Sequence, residues 1–99
     1  MNDWPFADPP NVAVIAHRDI FRKQEWIAYV THDAGDGCWQ FHISGTTAPT
    51  EADALVVGLQ EIVDMDPSTR ELADLPMGWH AGRESPASPW KRSPRDEQP

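Results

Sequence analysis

The stretch Glu25-Trp26-Ile27-Ala28-Tyr29-Val30-Thr31-His32, then Asp33-Ala34-Gly35-Asp36-Gly37, then Cys38-Trp39-Gln40-Phe41-His42-Ile43-Ser44 decides the fold. The first segment is rich in aromatic and β-branched residues, the composition of strands. The middle five residues are Asp and Gly with one Ala, a dense turn signal. The third segment alternates, with Trp39, Phe41 and Ile43 on one face and Cys38, Gln40, His42 and Ser44 on the other. A period of two predicts a strand with one apolar face and one wet or polar face. Two strands joined by a short Gly/Asp turn form a β-hairpin.

On the N-terminal side, Val12-Ala13-Val14-Ile15-Ala16 is a short β-branched run and reads as a buried strand. Residues 19–24 form one helical turn or a loop. Residues 1–10 hold three prolines and read as an irregular lead-in pinned by Trp4 and Phe6. On the C-terminal side, Thr50-Glu51-Ala52-Asp53 has the T-x-x-D form of a capping box. A strand is expected at about 54–58 and a helix over 60–65. Asp66-Pro67 starts a second helix, with Asp as N-cap and Pro at the first helical position. Residues 78–83 read as the last strand. From Ser85 onward Ser, Pro and charge dominate, which predicts a disordered tail. The expected organisation is a lead-in over 1–10, one α+β domain over 11–84 and a Pro/Ser-rich tail over 85–99. The α+β fold is a small, mostly antiparallel sheet with one or two short helices on one face.

The chain has 99 residues, 16 acids and 8 bases, a net charge of −8. That charge argues against nucleic-acid binding, because affinity for phosphate comes from cationic side chains that displace counterions. No run approaches the ~20 apolar residues of a membrane helix. The N-terminus has neither a basic nor an apolar signal region. The single cysteine, Cys38, forms no internal disulfide, and a cytoplasmic location is expected.

Four histidines (His17, His32, His42, His80) and Cys38 invite a metal or thiol reading, but no H-x-x-x-H, C-x-x-C or H-E-x-x-H spacing occurs. Cys38 follows an acidic turn, which opposes a thiolate. No glycine-rich phosphate loop occurs, so no nucleotide cofactor is expected. Charge is more informative. Residues 50–74 carry Glu51, Asp53, Glu61, Asp64, Asp66, Glu71 and Asp74 against Arg70 alone, a local charge of −6. Apolar residues claim one helical face, so several carboxylates share the exposed one. This points to an electrostatic landing surface for a basic protein. Its expected residues are Glu61, Asp64, Asp66, Glu71 and Asp74, aided by Trp79 and Trp90. No catalytic, cofactor-binding or metal-binding residue is assigned, and a monomer or weak dimer is expected.

The string Asp36-Gly37-Cys38-Trp39-Gln40-Phe41, with Ser44-Gly45 after it, resembles the D-x-G-W-x-F-x-x-G hairpin of a small bacterial family, domain of unknown function 2185. That family is grouped with immunity proteins of polymorphic toxin systems. The stretch Leu59 to Gly78 is similar in order, with an apolar helix, Asp66-Pro67 and Leu72-Ala73-Asp74-Leu75-Pro76-Met77-Gly78, followed by an aromatic strand ending near Arg83; the resemblance covers roughly residues 11–92. Cys38 departs from the pattern, which runs from glycine directly into tryptophan. The resemblance implies an α+β fold, no known catalysis, and a role in binding and neutralising a toxin protein. The competing expectation is a small metal- or thiol-dependent enzyme built on His32, Cys38, His42 and His80.

Overall fold

The computed structural model describes residues 4–45 and 50–95. Its strands are β1 (Ala13–His17), β2 (Ile27–His32), β3 (Trp39–Ile43), β4 (Ala54–Gly58), β5 (Trp79–Gly82) and β6 (Lys91–Pro94). Its helices are α1 (Asp19–Arg22), α2 (Leu59–Met65) and a 3-10 helix over Pro67–Leu72. The strands form one sheet in the order β4-β1-β3-β2-β5-β6. All neighbours are antiparallel except β1 and β3, which run parallel. This is the α+β fold expected from the sequence.

The hairpin forms as the Gly/Asp turn requires. Asp33 Oδ1 accepts from Gly35 N at 2.6 Å, and Gly37 takes φ 73°, a left-handed conformation natural to glycine. Ile27 pairs with Ile43 but Tyr29 pairs with His42, so the register slips at Ala28. This bulge lets Ile27 and Val30, three residues apart, both enter the core.

The core lies on one side of the sheet. Val14, Ala16, Val30, Trp39, Phe41 and Ala81 meet Ile20, Leu59, Ile62 and Leu72 from the helices. Trp39 anchors the N-terminal segment. Phe6 meets it edge-on at 5.4 Å, and Trp4 lies 5.4 Å from Phe6. The lead-in is thus pinned by the two aromatic residues expected to hold it.

Several details depart from the sequence expectation. Residues 91–94, placed in a disordered tail, form edge strand β6, so the ordered domain does not end at residue 84. Isolated, Lys91-Arg92-Ser93-Pro94 has no strand signal; pairing to β5 supplies it. Residues 96–99 lie outside the described residues. The second helix is 3-10 rather than α, with Asp66 accepting from Ser68 N as the expected cap. Thr50 and Asp53 do bond side chain to side chain at 2.9 Å, but they close a turn that leads into β4, not a helix. The polar face of β3 is not wet throughout: His42 is fully buried.

Candidate functional site

Arg83 stands just beyond β5, and its side chain is only 2% exposed. A buried guanidinium needs its donors satisfied. Nε donates to Ile27 O at 2.9 Å and NH1 donates to Ser68 Oγ at 2.9 Å. NH2 donates to Asp66 Oδ2 at 2.6 Å. The guanidinium carbon lies 4.2 Å from the Trp90 ring centroid and 5.9 Å from that of Trp26. One side chain therefore ties β2, β5, the 3-10 helix and the segment before β6.

Beside this hub opens a cavity of about 390 Å³, with Ile20, Gln24, Glu25, Trp26, Met65 and Asp66 among its lining. The sequence folds this way because α1 is short. Glu25 N returns to Asp19 O at 3.0 Å, and Gln24 adopts φ 56° to make the reversal. This puts Glu25 and Trp26 on the rim. The opposite wall is the end of α2, where Met65 is 39% exposed. The cavity thus combines an apolar and aromatic wall, an exposed carboxylate at Glu25, and an Asp66–Arg83 pair already matched in charge. Such a lining suits an aliphatic stem ending in a cation.

The residues expected to form a landing surface divide into two groups. Glu61, Asp64 and Glu71 are exposed. Glu61 also accepts from Gly58 N at 2.9 Å, which caps α2. The others have partners within the fold, although Asp74 is exposed as well. Asp66 holds Arg83 and Ser68. Asp74 pairs with Arg92 at 2.6 Å, and that hydrogen bond and charge hold its carboxyl below the usual carboxylate range. Trp79 is half-buried against the core, and half-buried Trp90 lies over Arg83. Two of the carboxylates of residues 61–74 are thus paired with cations: β6 brings Arg92 to Asp74, and Arg83 beyond β5 meets Asp66. Glu25, Trp26, Met65 and Arg83 went unrecognised in the sequence, since no spacing links positions this far apart.

The imidazoles and the thiol do not hydrogen-bond one another among the described residues. His17 Nδ1 accepts from Asp19 N at 3.1 Å, and its Nε2 lies 3.8 Å from Asp53 Oδ2. His32 Nδ1 donates to Leu75 O at 2.8 Å, and its ring stacks on Trp39 at 3.8 Å. His80 bonds Tyr29 OH at 2.7 Å and Ser93 Oγ at 2.9 Å. Among the described residues His42 has no hydrogen-bond partner on either ring nitrogen. Burial, then the charges of His17 and Arg95, lowers its pKa to about 4. Cys38 Sγ donates to Trp39 O at 3.4 Å. Burial, then Asp36 and Asp33, pushes the thiol above its ordinary value. Among the described residues no three of the His, Cys, Asp and Glu side chains are grouped to hold a metal ion. Nor is any helix among them long and apolar enough to cross a membrane.

Comparison of the chain with protein-family models, with curated proteins and with solved structures returns no match. The site's own geometry therefore carries the functional argument.

Proposed function

We propose that this chain is a non-enzymatic protein-binding domain that holds a basic protein, in the manner of an immunity protein. A Lys or Arg side chain of the partner enters the cavity between Trp26 and Met65, and its charged end meets Glu25. Glu61, Asp64 and Glu71 steer the approach and contribute to the rim of the interface. The observation that carries this reading is the cavity itself: an aromatic wall and an exposed carboxylate on a chain of charge −8. The hairpin resemblance supports the immunity-type role, and a net negative surface suits capture of a basic toxin. The metal- or thiol-dependent alternative has no such support: among the described residues His32, Cys38, His42 and His80 do not gather into a metal-holding group, and the Cys38 thiol is pushed above its ordinary value.

A lysine-rich peptide, with an acetyl-lysine version as control, tests the reading by calorimetric titration. Binding is expected to weaken steeply between roughly 50 and 500 mM NaCl, as screening shortens the reach of the carboxylates. Glu25→Gln and Trp26→Phe should weaken it, and the acetylated peptide should not bind. Binding that is flat with salt, or indifferent to both cavity variants, refutes the proposal.

A further inference from the structure

The two edges of the sheet are not alike. An edge strand offers unpaired backbone groups to any other strand, and folded proteins normally guard it with charge, proline or a bulge. The β6 edge is guarded. Its residues are Lys91, Arg92, Ser93 and Pro94, all exposed. Arg95 N donates to Gly78 O, so by antiparallel alternation Arg92 and Pro94 turn their backbones outward. Pro94 has no N–H to offer there.

The β4 edge carries none of this. It reads Ala54-Leu55-Val56-Val57-Gly58, with no charge and no proline. Leu55 is 36% exposed and Val56 73% exposed, the largest exposure of any large hydrophobic residue among the described residues. Leu59 N donates to Val12 O and Arg18 N donates to Asp53 O. The same alternation then turns residues 55 and 57 toward β1, and Ala54, Val56 and Gly58 outward. Gly58 N is taken by the Glu61 carboxylate. The C=O of Gly58, as the N-cap carbonyl, accepts the first hydrogen bond of α2. Among the described residues the N–H and C=O of Ala54 and Val56 remain available on the outer side.

We infer that β4 is a self-association edge, and that its occupant is β4 of a second copy of this chain. The strand is complementary to itself. Antiparallel pairing about a two-fold axis at Val56 sets Val56 against Val56, Leu55 against Val57 and Ala54 against Gly58. Each facing pair is uncharged, so two chains of charge −8 meet along a segment that has no like charges to oppose. Outward groups meet outward groups in this register. About two inter-chain hydrogen bonds form, both at the Val56 pair, while the N–H and C=O of Gly58 stay with Glu61 and α2. The contact is isologous and therefore closed: the joined sheet ends at the guarded β6 edge on both sides.

Charge gives the dimer a signature opposite to that of basic-partner binding. Glu51 and Glu61 flank β4 in each copy, so added salt relieves repulsion and tightens self-association. The inference does not depend on the proposed function, and the two fail separately.

Sedimentation equilibrium of the chain, from roughly 10 µM to 1 mM and at about 50 and 500 mM NaCl, is the test. A monomer–dimer equilibrium is expected, tighter in high salt, with no larger species. Val56→Lys places two ammonium groups face to face and should raise the dissociation constant at least about tenfold. Val56→Pro removes the central outward donor without touching a bond to β1, and should act likewise. Circular dichroism of both variants checks that the sheet is retained. A protein that stays monomeric at every concentration overturns the inference. So does a folded Val56→Lys variant that dimerises like the parent, or assembly beyond two copies.

Discussion

Acid should weaken this protein through one residue before most carboxylates titrate. His42 is fully buried in the middle of the sheet, and among the described residues neither ring nitrogen has a hydrogen-bond partner. Its folded pKa is lowered to about 4, chiefly by burial and further by the charges of His17 and Arg95. In the unfolded chain a histidine titrates near ~6.5. Between these values the unfolded state binds a proton that the folded state refuses, so stability falls as pH falls. The contribution is fully present above ~6.5 and is lost progressively on the way down to the folded value. At 1.36 kcal/mol per pKa unit, the loss amounts to about 3 kcal/mol, a large part of a total on the order of 5–15 kcal/mol. Asp74 does not obscure this window. Its lowered pKa makes it stabilising above the ordinary carboxylate value, and that share is lost only below it. Urea unfolding followed by tryptophan fluorescence, at several values between about pH 7.5 and 4.5, measures the slope. His42→Phe should remove most of it. At neutral pH the same variant should be neutral or stabilising, because no hydrogen bond is broken when an unpartnered ring is replaced. An NMR titration in which His42 protonates near ~6.5, or a His42→Phe protein as acid-sensitive as the parent, refutes the argument.

Arg83→Ala should destabilise by about 3 kcal/mol, the lower end of the range for breaking a buried pair, since Asp66 retains some access to water. A double-mutant cycle with Asp66→Asn in urea should show coupling above about 1 kcal/mol, and additive losses would mean that the pair is incidental. Cys38 should alkylate with iodoacetamide more slowly than free cysteine near pH 7, because burial and two aspartates disfavour its thiolate. A rate equal to or above that of free cysteine would contradict this placement.

Local pattern made the hairpin legible. Alternation at Trp39, Phe41 and Ile43 and the Gly/Asp turn act between near neighbours, and both strands form where that pattern places them. Asp66-Pro67 is legible for the same reason: an N-cap is a contact across two or three residues. The candidate cavity was not legible. Glu25 and Trp26 reach Met65 and Arg83 only because the order β3-β2-β5 brings the start of β2 against the end of β5.

The residues alone determined that this is a short acidic α+β chain with a central hairpin, because composition and periodicity are properties of the sequence itself. Only tertiary structure decided the fate of its charges and edges. Arg92 reaches Asp74 from a segment that carries no strand signal, and Arg83 spends Asp66 inside the fold. His42 sits on the nominally polar side of its strand, yet it is fully buried. Val56 has the composition of a core residue but lies on the last strand of the sheet. Burial depends on which strands become neighbours, and that is settled by contacts between residues distant in the chain.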